Sequence, residues 1–242
     1  HASHRESYFA DPKTRSMNVG RELQGLRKDG SLVPLEIGLS FVPTESGTVA
    51  MAFITDISQR TQAEEAERRW ARETEVLAEI GRVVTSSLDI NDVYASLGEQ
   101  ARKLLPFDHM SLSLIDQEKG VSYLTWVYGQ DVPGRVPGDI VPLAGAFVNE
   151  VVLAGSPVVL SVDTEENLLA KIPRQLPSFF VGMRSFLGVP LFFRDDLVGV
   201  LQLQSKKLVA YSQRDSELVE RIGNQIAGAV ANSQLYAERS RL

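Results

Sequence analysis

Val33, Leu35, Ile37, Leu39 and Phe41 stand at every second position, with Pro34, Glu36, Gly38 and Ser40 between them. A period of two places five apolar side chains on one face of an extended strand, and that face must be covered by something. Asp29 and Gly30, just before the run, signal a type I′ hairpin, whose two central residues both take positive φ. Residues 21–60 therefore read as two antiparallel hairpins running straight into a charged helix.

The helix follows from about Gln59 to Ser87, a stretch of good helix formers with no Gly or Pro before Gly81. Ala63, Ala66, Trp70, Glu73, Leu77, Ile80 and Val84 alternate at spacings of three and four, the seam of a coiled coil with one polar break at Glu73. Such a stripe buries little without a partner helix. At a rise of 1.5 Å per residue the segment would carry a displacement over about 40 Å.

A second unit begins near Glu75. Asp89 is placed to cap a helix over residues 90–105, with Asp92 in the first turn where negative charge opposes the helix dipole favourably. Val93, Leu97, Ala101 and Leu104 form its apolar face. Strand-like runs start at His109 and Val121, joined by a turn at Glu118 to Gly120. A short helix is predicted from Gly145 to Leu153, a strand from Pro157 to Leu160, and a loop and helix over 163–180. Two more strands, 183–194 and 197–205, turn at Asp195-Asp196. Ser212 caps a last helix, in which Val219, Ile222, Ile226, Ala229, Ser233 and Tyr236 keep the same three-four spacing.

These strings carry two resemblances. The segment from Tyr8 to Pro12, through Met17 to Gly20 and the strands ending in Asp56, Ile57 and Ser58, resembles the second half of a PAS domain. Its first strands would precede residue 1, so the chain reads as a fragment beginning inside a domain. Gly182 to Leu191, Leu197 to Leu203, Tyr211 to Asp215 and Ala227 to Tyr236 resemble the ending of a GAF domain. The implied organisation is a partial PAS domain (1–58), a signalling helix (59–74), a GAF domain (75–238) and the start of an exit helix (239–242). The fold class is α+β: an antiparallel GAF-type sheet flanked by helices, preceded by a partial PAS sheet and a long linker helix. The resemblance implies first and last helices packed together on one face of the sheet and shorter helices over a pocket on the other.

Chemistry is sparse in this chain. With no cysteine, there is no disulfide, thiolate metal site, thiol nucleophile or thioether attachment. The three histidines, His1, His4 and His109, belong to no metal-ligand spacing, and no phosphate-cradling glycine loop or nucleophile elbow occurs. Asp195-Asp196 reads as a polar hairpin turn rather than a metal or acid-base pair. A net charge of −6 without a basic stripe argues against nucleic acid, and no run reaches the roughly 20 apolar residues of a membrane span. Catalytic and metal residues are therefore expected to be none, and the fragment non-catalytic.

Cofactor readings narrow in the same way. Covalent bilin needs a cysteine, and the axial histidine of heme-sensing GAF domains has no counterpart between Asp163 and Pro173. His1, at the distance from Arg21 that an axial histidine of heme PAS domains would take, reads as a terminal residue. His109 reads as a half-buried strand residue. Asn167, Lys171 and Phe179 echo three members of a cyclic-nucleotide set whose Asp-Glu is missing. No cofactor is expected beyond a small non-covalent ligand, with Trp126, Tyr128, Phe147, Phe179, Phe180, Arg184 and Ser185 as candidate contacts and ordinary core packing as the competing account.

The overall expectation is a cytoplasmic sensory fragment of a bacterial signalling protein, of the sensor histidine kinase type. It would act as a parallel homodimer through Trp70, Leu77, Ile80, Val84, Ile222, Ile226 and Ala229, relaying a change to an output domain outside the chain. The alternatives are a ligand-free dimerisation scaffold and the sensory part of a diguanylate cyclase or phosphodiesterase.

Overall fold

A computed structural model describes residues 13–16, 23–45, 47–87 and 89–239, those at 15–16 and 233–239 by their backbone alone. The upstream phrase from Tyr8 to Gly20 falls largely outside these residues, as do His1, His4, and the side chains of Ser233 and Tyr236. The chain divides into two compact units, His1–Ala71 and Arg72–Leu242.

In the first unit, strand β3 (Leu32–Thr44) is central. One edge pairs with β4 (Gly47–Asp56) along its length, and the other with β2 (Leu23–Leu26) and then β1 (Arg15–Ser16), all antiparallel. The β2–β3 hairpin is where the sequence places it, but the turn differs from type I′. Gly30 takes φ +84° while Asp29 is not among the positive-φ residues. Arg27 N donates to Ser31 O and Gly30 N to Arg27 O, a type I turn closed by a left-handed glycine. Asp29 Oδ1 holds it, accepting from Ser31 N at 2.9 Å and Ser31 Oγ at 2.6 Å. On the alternating face Val33 is buried, while Leu35, Ile37, Leu39 and Phe41 are half-buried.

The 29-residue helix α1 (Ser58–Ser86) crosses the boundary between the units. Helix α2 (Ile90–Leu104) starts as expected: Asp89 caps it, Oδ1 accepting from Asn91 N at 2.9 Å. The chain continues through β5 (His109–Asp116), β6 (Val121–Gly129), β7 (Ile140–Pro142), α3 (Phe147–Ala154) and β8 (Val158–Ser161). Next come α4 (Glu165–Lys171), a 3₁₀ turn (Pro173–Gln175), α5 (Leu176–Phe180), β9 (Ser185–Phe193), β10 (Asp196–Ser205) and α6 (Gln213–Arg239). Ser212 and Asp215 cap α6 reciprocally, Ser212 Oγ donating to Asp215 Oδ2 at 2.6 Å and accepting from Asp215 N at 3.3 Å.

Six antiparallel strands run in the order β7-β6-β5-β10-β9-β8, giving the expected α+β class. Each face of this sheet is covered. Leu97, Met110, Leu112, Leu191 and Leu201 meet Val76 and Ile80 of α1 and Val219, Ile222 and Ile226 of α6 in a first core. On the other face Phe147, Val151, Leu168, Ile172, Met183, Phe186 and Val200 form a second core beneath α3, α4 and α5. Among the described residues no helix is long and apolar enough to cross a membrane.

The seam read from the three-four spacing is divided by this packing. Ile80, Ile222 and Ile226 are at most 1% exposed within a single chain, so they serve its own core and have no surface left for a partner. Leu77, Val84 and Ala229 are half-buried, and Trp70 is 64% exposed. The polar break at Glu73 has a partner within the same chain: its side chain is buried, with Oε1 2.7 Å from Arg214 Nη2 and Oε2 2.9 Å from Arg221 Nη2. One carboxylate thus links α1 to two arginines that stand two turns apart on α6.

Candidate functional site in the second core

The seven residues predicted to contact a ligand do not line one pocket. Register explains the division. Trp126 pairs with Leu112 and Tyr128 with Met110, and directly opposed residues share a face. Both aromatics therefore join the first core, Trp126 stacking on Tyr94 at 5.7 Å and on Tyr128 at 5.9 Å between ring centroids. Arg102 lies 5.0 Å over the Tyr128 ring. Helix α2 admits this ring only because residue 98 is glycine, where a Cβ would stand 2.5 Å from the Tyr128 Cγ.

Of the other five candidates, Phe147, Phe179, Phe180 and Arg184 belong to the opposite side, whereas Ser185 alternates with Phe186 along β9 and so shares the first-core face with Leu187 and Leu191. Phe147 is fully buried against Phe186 at 5.7 Å, whereas Phe180 is 68% exposed. Arg184 is a clamp: its guanidinium lies 3.8 Å over Phe179, and Nη1 donates to Phe179 O and Met183 O, each at 2.9 Å. Ser185 is wholly engaged, donating to Lys207 O at 2.8 Å, accepting from Ala210 N at 3.1 Å and lying 3.0 Å from Ser161 Oγ. Asn167, on α4, bonds Asp163 Oδ1 at 2.7 Å.

What the second core does contain is a polar seam. Along β10 the side chains alternate, with Leu201 and Leu203 in the first core and Val200 in the second, so Gln202 and Gln204 face the second as well. Cross-strand pairing sets Ser111 beside Gln202 and His109 beside Gln204. All four are 5% exposed or less, and Ser178 of α5 is fully buried. Ser178 Oγ, Gln202 Nε2 and Gln204 Oε1 have no hydrogen-bond partner among the described residues. A buried polar atom left unsatisfied costs about 1–3 kcal/mol, so several in one layer of a fold need a reason.

Residues 130–135 form a strap from β6 to the layer that covers this face. Gln130 N donates to Asp108 O at 2.7 Å, and Gln130 Nε2 reaches Val181 O at 3.4 Å. Arg135 Nη2 donates to Arg174 O. Arg174 is itself anchored, Nε donating to Ala144 O at 2.7 Å and its backbone N to Gly145 O at 3.0 Å. His109 sits beneath, Nδ1 at 2.8 Å from the Gln130 carbonyl. A carbonyl only accepts, so Nδ1 carries the proton and Nε2 of the neutral ring is an acceptor. Burial, seconded by the Arg135 charge, holds the ring below its ordinary pKa against the opposing pull of Gln130 and Asp131.

A separate open groove of about 1180 Å³ lies at the far end of the sheet, by the β5–β6 and β9–β10 turns. Ile115, Tyr123, Ile140 and Phe192 line it together with Asp116 and Asp196, and no residue of 145–181 takes part. The β9–β10 turn itself is Arg194-Asp195, with φ of 51° and 71°, a left-handed pair that Asp tolerates better than most residues. Asp196 is already in β10, opposite Phe193. No group of His, Asp or Glu among the described residues could hold a metal ion.

The glutamines were missed for a reason. Leu-Gln-Leu-Gln alternation ordinarily marks a strand with one wet face, and only the covering of both faces turns Gln202 and Gln204 inward.

Among solved structures, the fold is similar to the GAF domain of a phosphoenolpyruvate-protein phosphotransferase from Acinetobacter, with a TM-score of 0.55, 22% identity and coverage of 69% of this chain and 97% of that one. It is also similar to the GAF domain of a two-component sensor histidine kinase from Bacillus halodurans, with a TM-score of 0.53, 22% identity and coverage of 62% and 99%. Among curated proteins it is 24% identical over 173 residues to the DNA-binding transcriptional activator HyfR of Escherichia coli K12. That match takes in 69% of this chain and only 25% of the relative, so the chain spans about a quarter of that protein's length. The family model of the GAF domain matches residues 87–231, more than half of the sequence, and the chain belongs to the GAF domain family.

Proposed function

We propose that this chain is the sensory part of a bacterial signalling protein, in which the GAF domain binds a small molecule non-covalently in the second-core seam. The observation that carries this reading is the set of orphaned buried atoms on Ser178, Gln202 and Gln204, which a polar ligand beneath the strap would satisfy. Binding there would shift β9 and β10, which also hold Leu191 and Leu201 against α6. Glu73 passes any movement of α6 to α1. The first unit acts as the closing part of a PAS domain, and two chains associate in parallel through the exposed part of α1. The chain itself performs no catalysis. Its output is of the histidine kinase type, a reading supported by likeness to a sensor kinase GAF domain; the HyfR match favours transcriptional activation as the second reading.

Native mass spectrometry of freshly purified protein tests this reading, since it reports bound mass and assembly together. The expected spectrum is a dimer retaining a small ligand. A bare monomer under all conditions would contradict it.

A further inference from the structure

Arg135 and Arg174 are held side by side with no carboxylate partner. Arg135 Nη2 reaches the Arg174 backbone carbonyl, and Arg135 Nη1 donates to Gly134 O at 3.2 Å. Arg174 Nε is committed to Ala144 O. Among the described residues neither guanidinium has a carboxylate oxygen within ion-pair distance. Asp139 is near enough for its charge to be felt at Arg135, but its Oδ2 is spent on Val136 N at 2.8 Å. Each guanidinium carries five N–H donors, so most remain available in a planar fork that suits oxyanions.

The arrangement is costly as it stands. Burial pushes Arg135 below its ordinary pKa, against the Asp139 charge and with the Arg174 charge adding to the push. An anion seated between the two would offset the repulsion and the desolvation together. Its position is informative too. Arg135 closes the strap over His109, where its charge is felt, and Arg174 adjoins Gln175 and the helix bearing Ser178. The second-core layer that the strap joins carries an unpaired donor on Gln202 Nε2, an unpaired hydroxyl on Ser178, and acceptors on Gln204 Oε1 and His109 Nε2.

We infer that the seam takes a small organic oxyanion bearing at least one hydroxyl or amino donor, its charged end held by Arg135 and Arg174 and its donor turned to Gln204 and His109. This rests on the reading of the seam as a ligand site. The arginines supply charge recognition at the strap, and the buried amides select against ions without a donor, whose binding would leave the acceptors unpaired.

The test uses three four-carbon probes at matched ionic strength: L-malate (charged, with a hydroxyl), succinate (charged, without one) and erythritol (neutral). Thermal shift and the side-chain amide NMR signals of Gln202 and Gln204 are read for the full chain and for Arg174→Gln. That variant keeps the backbone carbonyl that Arg135 uses, so the strap stays tied. The expected result is that malate raises the melting temperature and moves both amide signals, succinate binds several-fold more weakly, erythritol does neither, and Arg174→Gln weakens malate at least tenfold. Equal binding of erythritol, or malate affinity unchanged in Arg174→Gln, overturns the anion assignment while leaving the ligand site standing. No response to any probe also overturns it. Whether the site reading falls as well is then decided by the retained mass in native spectrometry.

Discussion

Glu73 and Arg214, 141 residues apart, meet at 2.7 Å across α1 and α6, with Arg221 on the other carboxylate oxygen at 2.9 Å. Burial alone would raise the Glu73 pKa, but the two guanidiniums outweigh it and hold the carboxyl below its ordinary value. These two ion pairs tie α1 to α6 beside the apolar contacts of the first core.

A first prediction concerns that link. A carboxyl with a depressed folded pKa contributes stability above its unfolded value, near 4.3, and loses it as pH falls through the folded value. Glu73→Gln should therefore cost about 1–2 kcal/mol at pH 7, the arginines being half-exposed and able to rehydrate. The difference from the parent should shrink as pH falls below the unfolded value and vanish only below the lower, folded value. Urea titrations at pH 7 and pH 3.5 check it, and a constant difference at both would show that the ion pair is not the source.

His109 supplies a second pH effect of the opposite chemical kind. Its folded pKa lies below the unfolded value near 6.5, so the unfolded chain binds the proton first and stability drops as pH falls from about 6.5 toward the folded value. In His109→Asn, whose amide can still donate to the Gln130 carbonyl, the loss between pH 6.5 and pH 5 should disappear. Melting temperatures across that range, compared with the parent, read the effect directly.

Gly98 sets two effects against each other. Alanine is favoured over glycine inside a helix by about 1 kcal/mol. A methyl at this site would meet the Tyr128 ring at 2.5 Å, and overpacking a core costs about 1–3 kcal/mol. The contact should win, and Gly98→Ala is expected to lower the denaturant midpoint. A raised midpoint would mean the Trp126–Tyr128 stack yields easily.

The seam predicts a trade of stability for function. Gln202→Met keeps side-chain length and removes a buried amide nitrogen that has no partner, so it should stabilise the apo protein by about 1 kcal/mol. The same change should abolish retention of the ligand. A variant that is less stable would show that Gln202 is already satisfied in solution.

How far the sequence disclosed this structure depends on the range of each signal. The Asp89 cap and the Ser212–Asp215 box were legible because their partners lie within three residues. The face occupied by Trp126 was not, because it depends on the register of β6 against β5 rather than on β6 alone. Three-four spacing marks a buried helix face without saying whose chain buries it, and so Ile80, Ile222 and Ile226 were read into a seam between chains although their own chain encloses them. The orphaned seam was invisible for a similar reason: alternation shows that Gln202 and Gln204 share a face, and only the folded layers show that the face is covered.

The last prediction separates the two roles of α1. From Val76 onward its apolar face enters the first core, whereas Ala66 and Trp70, one turn apart on the same stripe, are exposed in the single chain. Neither belongs to the two apolar cores of the GAF domain. In a parallel coil they would face their counterparts, and a charge at successive seam positions destabilises such a pairing strongly. Ala66→Glu with Trp70→Glu should therefore convert the protein to a monomer at tens of micromolar by light scattering. The melting transition of the GAF domain at high dilution should be unchanged, because neither residue contributes to its core. If the double variant remains a dimer, association runs through another surface and the exposed stripe of α1 is not the relay.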